Sequence, residues 1–339
     1  MKTSSILYVA AAFMLCSFLV SSCKKDTDSE PGAHPLDDDL PIPYDYANWM
    51  ANIDDSKYLS AITIPGTHDA AADLHSSLQG WNSYITIAQD FRIINQLEMG
   101  VRWLDIRLSD DDGTMTAWHG PYYLHKNFND LIDQAIEFLN NHPTETVIFM
   151  IKQEHSTRGD LAFADGVWFH YLAPAMDIHP NLFWLGNFVP QLGQVRGQIV
   201  IIRQFEGVHG GLRMKWNDNT TGSFGLTDDG TYVWVQDHYS LNTVSLDTKI
   251  AEIEDCITKA HNEPYPDRCY YINFTSGEKD LVQVSLESIA SYINPRINDY
   301  LHSKNWNNCG VILVNFAGGS NDGEVSQELV ETIVNLNTL

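Results

Sequence analysis

One stretch decides the fold: GVRWLDIR, at residues 100–107. The apolar run from Val101 to Leu108 predicts a buried strand. Two charged residues, Asp105 and Arg107, stand near the end of this run. They are two positions apart, so their side chains point to the same face of the strand. Charges in such a place are costly to bury unless they serve a ligand or each other.

Further apolar, β-branched runs lie on both sides of this stretch, and segments with helical spacing separate many of them. The eight runs are 61–64, 101–108, 115–118, 147–151, 198–202, 232–235, 270–274 and 311–314. Eight strands with intervening helices predict an α/β protein, a single-domain (β/α)8 TIM-type barrel that is distorted or imperfectly closed. A doubly wound open sheet is the alternative, but no G-x-G-x-x-G motif follows the first run.

The N-terminus has the pattern of a bacterial lipoprotein signal. Lys2 is followed by an apolar stretch, Ile6 to Val20, which is short for a membrane span, and then by Ser21-Ser22-Cys23. An ordinary signal peptide is the alternative. The predicted segments are a signal peptide at 1–22, an acylated Cys23 with a flexible tether at 23–42, and a catalytic barrel at 43–339. We therefore expect an exported chain that is lipid-anchored to the cell envelope, at the outer membrane or the cell surface.

The charge of the chain argues against one class of function. Its 20 Lys and Arg residues face 44 Asp and Glu residues, a formal net charge of −24. Nucleic-acid binding needs a basic face, and the sequence has no basic cluster beyond Lys24-Lys25. Any anionic substrate must therefore be held by a few local cations.

Three of the five cysteines remain once Cys16 leaves with the signal and Cys23 is acylated. These are Cys256, Cys269 and Cys309. An odd number cannot pair completely, although a bond between Cys256 and Cys269 is compatible with an oxidising compartment. The chain has no C-x-x-C pair, so a structural zinc site is not expected.

Ionisable or hydrogen-bonding residues close nearly every apolar run. In (β/α)8 barrels the working residues lie at the C-terminal ends of the strands. The candidates at these ends are His68, Asp69, Asp105, Arg107, His119, Lys152, Arg203, Asp237, Tyr239 and Asn315. Asp237 and Tyr239 are two apart, like Asp105 and Arg107, so each pair can reach one cavity.

Six pieces of the sequence, in this order, resemble the X-domain of phosphatidylinositol-specific phospholipase C, in particular its bacterial single-domain form. They are PGTHD at 65–69, GVRWLDIR at 100–107, WHG at 118–120, the strand ending at Lys152, RGQIVIIR at 196–203 and VQDHY at 235–239. The resemblance spans about residues 50 to 320. It implies a monomeric enzyme that cleaves phosphatidylinositol, or its glycosylated form, to diacylglycerol and inositol 1,2-cyclic phosphate at a membrane surface.

The resemblance also implies a role for each candidate. His68 matches the general base for the inositol 2-hydroxyl and His119 the general acid for the leaving alkoxide, roles that suit histidine. Arg107 matches the group that stabilises charge on the phosphate. Asp69 matches a carboxylate that assists Arg107 and the leaving group. Asp105 matches a carboxylate oriented towards His119. The implied inositol pocket consists of Lys152, Arg203, Asp237 and Tyr239.

Two residues bear on the cofactor and the rate. Calcium-dependent relatives hold their ion with carboxylates, whereas an arginine fills that space in the metal-independent bacterial enzymes. Arg107 at this place implies no metal and no other cofactor. Asn315 departs from the family, in which an aspartate bonds the base histidine. An amide lacks the charge that stabilises imidazolium, so we expect a lower pKa for His68 and a reduced rate.

Two other functions remain open at this point. A glycerophosphodiester phosphodiesterase also uses a barrel and two histidines, but it holds a divalent metal with Glu-x-Asp on the second strand. Here that place reads Asp105-Ile106-Arg107, and the arginine would repel the metal. The other alternative is a non-catalytic surface lipoprotein that binds inositol lipids or glycans, and Asn315 is the feature that favours it.

Overall fold

The computed structural model describes residues 46–78, 81–155, 159–227, 230–263, 265, 267–279, 284–304, 306–318 and 325–338. The predicted signal peptide, the predicted acylation site and the predicted tether lie outside the described residues. Within them, no helix is long and apolar enough to cross a membrane.

Thirteen strands and eight α-helices form the described part of the chain. The strands are β1 (Ile64–Thr67), β2 (Trp103–Asp111), β3 (Thr114–His119), β4 (Tyr122–Asn127), β5 (Val147–Gln153), β6 (Phe183–Trp184), β7 (Ile199–Arg203), β8 (Leu212–Lys215), β9 (Thr220–Phe224), β10 (Leu226–Thr227), β11 (Tyr232–Asp237), β12 (Cys269–Phe274) and β13 (Val311–Val314). The α-helices are α1 (Trp81–Thr86), α2 (Ile93–Glu98), α3 (Phe128–Asn141), α4 (Asp160–Val167), α5 (Ala173–Ile178), α6 (Leu246–Asn262), α7 (Leu286–Lys304) and α8 (Val325–Asn335).

Eight of the strands form a continuous parallel series, in the order β8-β7-β5-β2-β1-β13-β12-β11, and the two-residue strand β6 pairs parallel with the start of β7. The short strand β10 extends the β8 edge in the antiparallel direction, and β9 extends the β11 edge in the same way. In the described residues β8 and β11 do not pair, so the sheet does not close. The predicted fold class, a distorted barrel, is therefore confirmed.

One of the eight predicted barrel strands is wrong. Residues 115–118 lie in β3, which pairs antiparallel with β2 and β4 in a hairpin extension outside the parallel set. The eighth place is taken by β8, Leu212–Lys215. Its outward side chains, Arg213 and Lys215, are partly exposed and form ion pairs with acidic residues. A strand with this alternation lacks the continuous apolar run expected of one covered by a helix, and this is why the pattern missed it.

Inward and outward side chains alternate along the barrel strands. The inward cluster includes Trp103, Ile148, Ile202 and Leu313, whereas the adjacent Leu104 belongs to the outer cluster, which packs against the helices. Burying a side chain of this kind stabilises the fold by about 1.5–3 kcal/mol. Because the period of two persists to the strand ends, it also fixes which terminal residues point into the barrel mouth.

The helix α3 shows how the outer layer is held. It begins with a capping box, in which Asn127 accepts the Asp130 backbone N–H and Asp130 accepts the Asn127 backbone N–H. Phe128, Leu131 and Phe138 are fully buried against the strands. The helix ends at Asn141, before Pro143, which agrees with the amphipathic spacing of the sequence.

The three cysteines of the described residues are free thiols, and all are buried. The Cys256 thiol faces the carbonyl of Ile272 at 3.8 Å, and the Cys269 thiol faces the carbonyl of Tyr270 at 3.6 Å. The disulfide that the sequence allowed between Cys256 and Cys269 is therefore not formed.

Candidate active site

The inward positions at the strand ends converge on one cleft at the C-terminal mouth of the barrel. It consists of two adjoining cavities of about 430 and 390 Å3. The side chains common to both are Arg107, Lys152, Glu154, Asp218 and Asp237. His68, His119 and Tyr239 line the larger cavity. A cleft of this size, with convergent polar groups, is typical of a small-molecule or headgroup site.

His68 follows β1 directly, and hydrogen bonds fix its ring at both nitrogens. Its Nε2 lies 2.7 Å from Nη2 of Arg107, and its Nδ1 lies 2.8 Å from Oδ1 of Asn315. Arginine can only donate, so Nε2 accepts, and Nδ1 donates its proton to the amide oxygen. The ring is therefore neutral, with its basic nitrogen in the cleft. Burial and the nearby Arg107 hold the pKa of His68 well below its usual range.

A buried glutamine and a glycine hold His68 in place. The Gln89 amide nitrogen donates to the carbonyls of His68 and Val314, at 2.8 and 2.9 Å, and thereby ties β1 to β13. Within β1, a Cβ atom at Gly66 would lie 2.9 Å from the Trp103 carbonyl oxygen. Glycine is therefore needed for β1 to pack this closely against β2.

His119 ends β3 and faces His68 across the cleft. The ring centroids are 5.8 Å apart, in an edge-to-face arrangement. The His119 Nδ1 donates to the Thr86 carbonyl at 2.7 Å, which leaves Nε2 as the acceptor of the neutral ring. Burial and Arg107 lower the pKa of His119 to about 4. The ring is thus neutral at physiological pH.

Arg107 is surrounded by carboxylates. Its Nε and Nη2 both donate to Oδ2 of Asp105 at 3.1 Å. Its Nη1 lies 3.5 Å from Glu154, and its Nε lies 3.7 Å from Asp69. Burial opposes the charge, but the carboxylates outweigh it and raise the pKa of Arg107 well above its ordinary value. Arg107 is therefore a fixed cation beside His68.

Asp69 is buried and strained. Its φ of 44° lies in the left-handed region, which is uncommon for residues other than glycine. Its Oδ2 lies 3.4 Å from Nδ1 of His119. In the described part of the chain, neither carboxylate oxygen has a hydrogen-bond partner. Burial raises the pKa of Asp69 well above its usual range, although Arg107 opposes the shift.

Asp105 is placed differently from its expected orientation, whereas Asp69 lies close to Arg107 as expected. Asp105 was expected to face His119, but it bonds Arg107 and the backbone N–H of Asp69. Asp69 is the carboxylate nearest to His119. The reason is geometric: Asp105 and Arg107 share one face of β2, whereas Asp69 follows β1 at the turn.

Three of the four predicted inositol-pocket residues line the cleft. Lys152 is 34% exposed and lies 3.7 Å from Glu154. Asp237 accepts the Trp216 indole N–H at 3.0 Å, and burial raises its pKa. Tyr239 is half-exposed at the rim of the larger cavity.

Arg203 departs from the prediction. It is in register with Ile151, whose side chain lies in the outer cluster, so Arg203 also points out of the barrel. Its guanidinium donates to the carbonyls of Gly211 and Phe205. The inward residue at this strand end is Gln204, which lines the smaller cavity. Counting the period of two from the apolar residues of β7 would have identified this.

Sequence reasoning missed Glu154 and Trp216. Glu154 lies two residues beyond Lys152, and it accepts the Gly120 backbone N–H at 3.0 Å. Arg107 and Lys152 offset its burial and lower its pKa. The same spacing places Trp216 two residues beyond Met214 of the inner cluster. Extending the inward period one step past each strand would have found both residues.

Among the described residues, no group of three or more His, Cys, Asp or Glu side chains could hold a metal ion. The carboxylates of Asp69, Asp105 and Glu154 instead surround the guanidinium of Arg107. The site thus brings two neighbouring imidazoles and a fixed cation together in one cleft. It suits proton removal, charge stabilisation and proton donation around one phosphoryl group.

Comparisons with known proteins show which chains this one is similar to. Residues 62–205 match the family model described as phosphatidylinositol-specific phospholipase C, X domain. The chain is 27% identical over 297 residues to 1-phosphatidylinositol phosphodiesterase of Staphylococcus aureus (strain Newman), covering 84% of this chain and 93% of that protein. A solved structure of S. aureus phosphatidylinositol-specific phospholipase C has a TM-score of 0.75 and 26% identity, covering 86% of this chain and 98% of that one. The Listeria monocytogenes enzyme has a TM-score of 0.67 and 21% identity, covers 86% of this chain and 99% of its own, and supports the fold. Residues 62–205 therefore match the X domain of phosphatidylinositol-specific phospholipase C, and the similarity to the bacterial enzymes extends over most of the chain.

Proposed function

We propose that this protein is a phosphatidylinositol diacylglycerol-lyase, which cleaves phosphatidylinositol or a glycosylated form to diacylglycerol and inositol 1,2-cyclic phosphate. The observation that carries the proposal is that His68, His119 and Arg107 line one cleft, with the two imidazole centroids 5.8 Å apart. The names of the curated relatives support the substrate.

The first half of the reaction uses His68 as the base. Its Nε2 already accepts a hydrogen bond from Arg107, so the substrate 2-hydroxyl can take the place of that donor. The hydroxyl proton moves to Nε2, and the hydroxyl oxygen bonds to phosphorus. Arg107 then donates to the phosphate oxygens, where negative charge develops. The amide of Asn315 keeps the Nδ1 proton oriented throughout.

The second half uses His119 as the acid. The bond from phosphorus to the diacylglycerol oxygen breaks, and that oxygen takes a proton from Nε2 of His119. In the ligand-free cleft the pKa of His119 is about 4, mainly because of burial and Arg107. A bound phosphodiester anion, with the carboxylates of Glu154 and Asp105, favours the imidazolium form. Protonation of His119 is thus coupled to substrate binding.

The residues that line the cleft beside the two histidines can recognise the inositol headgroup. Lys152 and Asp237 are polar groups that can bond ring hydroxyls, and the Tyr239 ring can pack on the apolar face of the inositol. Arg203 has no part in this pocket because it points towards the outer layer. Arg107 is the built-in cation of the proposed reaction, which therefore needs no metal.

Phosphorus NMR tests the reaction. The full chain, with phosphatidylinositol in mixed micelles and excess chelator, should produce inositol 1,2-cyclic phosphate. His68→Ala and His119→Ala should each lower the rate by about 100- to 10,000-fold. His261→Ala is the matched control, because His261 stacks on Trp306 away from the cleft. Turnover that appears only after calcium is added would contradict the role of Arg107.

Absence of turnover under both conditions would favour the second candidate, a non-catalytic binder of inositol lipids or glycans. Asn315 is the observation that favours this candidate, because an amide supports the base less well than a carboxylate. Binding of phosphatidylinositol vesicles without product would then identify it.

We also propose that the chain is anchored through Cys23. The sequence Ser21-Ser22-Cys23 after an apolar stretch supports this. Growth with labelled palmitate should label the wild-type protein, and Cys23→Ser should abolish the label. Release of the Cys23→Ser protein from the membrane fraction would complete the test. The expectation that the protein is a monomer is a separate proposal, and sedimentation velocity in detergent tests it.

A further inference from the structure

A buried lysine lies behind the strand that presents the proposed inositol pocket. Lys249, on α6, is fully buried. Its Nζ donates to Oε1 of Gln236 at 3.0 Å and to the backbone carbonyl of His238 at 2.9 Å. Both acceptors lie on β11 or at its end, on the face turned away from the cleft.

The same helix contacts this strand end a second time. Glu252, three residues after Lys249, accepts from Nδ1 of His238 at 2.8 Å. Residues 236 and 238 face α6, whereas Asp237 and Tyr239 face the cleft, as the period of two requires. Lys249 and Glu252 therefore hold the residues on either side of Asp237, and His238 precedes Tyr239 directly.

Packing alone does not explain a charge at this position. An apolar side chain of similar volume often stabilises a protein as well as a buried charge does, or better. Lys249 is instead directed at a side-chain amide and at the peptide carbonyl between the two pocket residues. We propose that Lys249, assisted by Glu252, is a positioning residue that fixes Asp237 and Tyr239 for substrate binding. This inference rests on the proposed function, which assigns those two residues to the pocket.

The charge environment of Lys249 gives the role a pH dependence. The ionisable groups that act on its charge are Asp237 across β11, and Glu252 and Cys256 from α6. Burial lowers the pKa of Lys249 to about 8, although the two carboxylates oppose the shift. Above that pH the amine loses its charge and one donor. The hold on β11 should therefore weaken as pH rises through about 8.

Lys249→Met tests the proposal in the full chain, with phosphatidylinositol in mixed micelles as the probe. We expect KM to rise about tenfold and kcat to stay within about twofold, because binding geometry is lost and not acid–base chemistry. In the wild-type protein KM should rise as pH increases through about 8. This rise should disappear in the variant. Lys259→Met is the matched control on the same helix. Lys259 pairs with Glu263 and lies over the Trp234 ring.

A second readout does not depend on turnover. The Trp216 indole N–H donates to Asp237, so its nitrogen-15 NMR resonance reports the position of that carboxylate. We expect Lys249→Met to move this resonance and Lys259→Met to leave it in place. If Lys249→Met fails to fold, the same measurements on Glu252→Ala test the proposal. Glu252 is partly exposed, and its substitution removes the contact with the His238 ring.

The outcomes separate the two proposals. An unchanged KM and an unchanged Trp216 resonance in both Lys249→Met and Glu252→Ala would overturn the positioning role. An equal rise of KM in Lys259→Met would also overturn it, because the effect would then be a general property of α6. A wild-type protein that does not turn over, with a resonance that moves only in Lys249→Met, would refute the proposed function and retain the positioning of Asp237.

Discussion

Two arginines five positions apart show what separates a structural charge from a working one: Arg102 directly precedes β2, and Arg107 lies in the middle of this strand. Arg102 precedes β2 at the closed end of the barrel. Its guanidinium bonds Oε2 of Glu145 at 2.8 and 3.0 Å and also donates to four backbone carbonyls. Both side chains of this pair are fully buried. No capacity remains there for a ligand.

Arg107 differs in what surrounds it. Its side chain is 14% exposed to a cavity, and its partners are carboxylates and an imidazole instead of backbone carbonyls. Within the described residues, both oxygens of Asp69 and Oδ1 of Asp105 lack hydrogen-bond partners. Polar capacity left open in a buried cluster destabilises a fold unless a ligand fills it. We call Arg107, His68 and the carboxylates of Asp69, Asp105 and Glu154 the open cluster. Its unfilled hydrogen-bonding capacity marks it as the functional one of the two sites.

The largest expected effect is a loss of unfolding free energy when the buried ion pair between Arg102 and Glu145 is broken. Arg102→Met leaves the Glu145 carboxylate buried without its partner and removes the donors of four carbonyls. Such a break costs about 3–5 kcal/mol of unfolding free energy. Urea unfolding measures the loss, and kcat/KM of the folded fraction should stay near the wild-type value. A loss under 1 kcal/mol would show that the pair is not what holds this end of the barrel.

The matched substitution at the open cluster should act on rate. Arg107→Met removes the proposed donor to the phosphate oxygens, so kcat/KM should fall by about 100- to 1,000-fold. Its stability loss should be smaller than that of Arg102→Met, because water in the cleft can solvate the carboxylates. Steady-state kinetics and urea unfolding of the same samples test both parts. A stability loss equal to that of Arg102→Met would erase the distinction between the two arginines.

The sequence predicted the parts of the fold that follow from periodicity and missed those that depend on neighbours. Seven of the predicted apolar runs lie in or overlap barrel strands, although the run 61–64 meets β1 only at Ile64. The eighth barrel strand, β8, has one partly exposed face and therefore no such run. The site candidates were found because polar residues end apolar strands. The prediction that Arg203 lines the pocket was wrong because a position at a strand end does not determine which face the side chain occupies. The register of Arg203 with Ile151 determines that face.

The carboxylate contacts could not be read from the sequence. Asp69 reaches His119 only because the backbone turns after β1, with a positive φ at Asp69 itself. His119 enters the cleft from a hairpin outside the parallel sheet, so its distance from His68 depends on the tertiary structure. Asn315, by contrast, lies directly after β13 as predicted, and bonds His68.

A smaller effect is expected from adding a charge to the open cluster. Asn315→Asp places a carboxylate against Nδ1 of His68, whose pKa is now depressed by burial and by Arg107. The pKa of His68 should rise, so the acid limb of kcat/KM should move to higher pH, because the base must be neutral to act. The plateau rate should increase by about tenfold, since the carboxylate stabilises the imidazolium. A pH–rate profile measures both. An unchanged acid limb would mean that His68 is not the titrating base.

The smallest effect is expected at the edge of the open cluster, where Glu154→Gln retains the shape of the side chain. The amide oxygen can still accept the Gly120 N–H, which orients the segment next to His119. What is lost is one negative charge beside Arg107 and Lys152. We expect kcat to fall about threefold to fivefold, because the loss of one partly solvated ion-pair partner costs up to about 1 kcal/mol. Unfolding free energy should stay within about 0.5 kcal/mol, as for a substitution at a solvated site. Glu145→Gln is the paired control: it should lower stability and leave kcat unchanged. If the two variants changed kcat and unfolding free energy in the same way, burial alone would account for the effects at both arginines. The open cluster would then not be distinguished as the catalytic one.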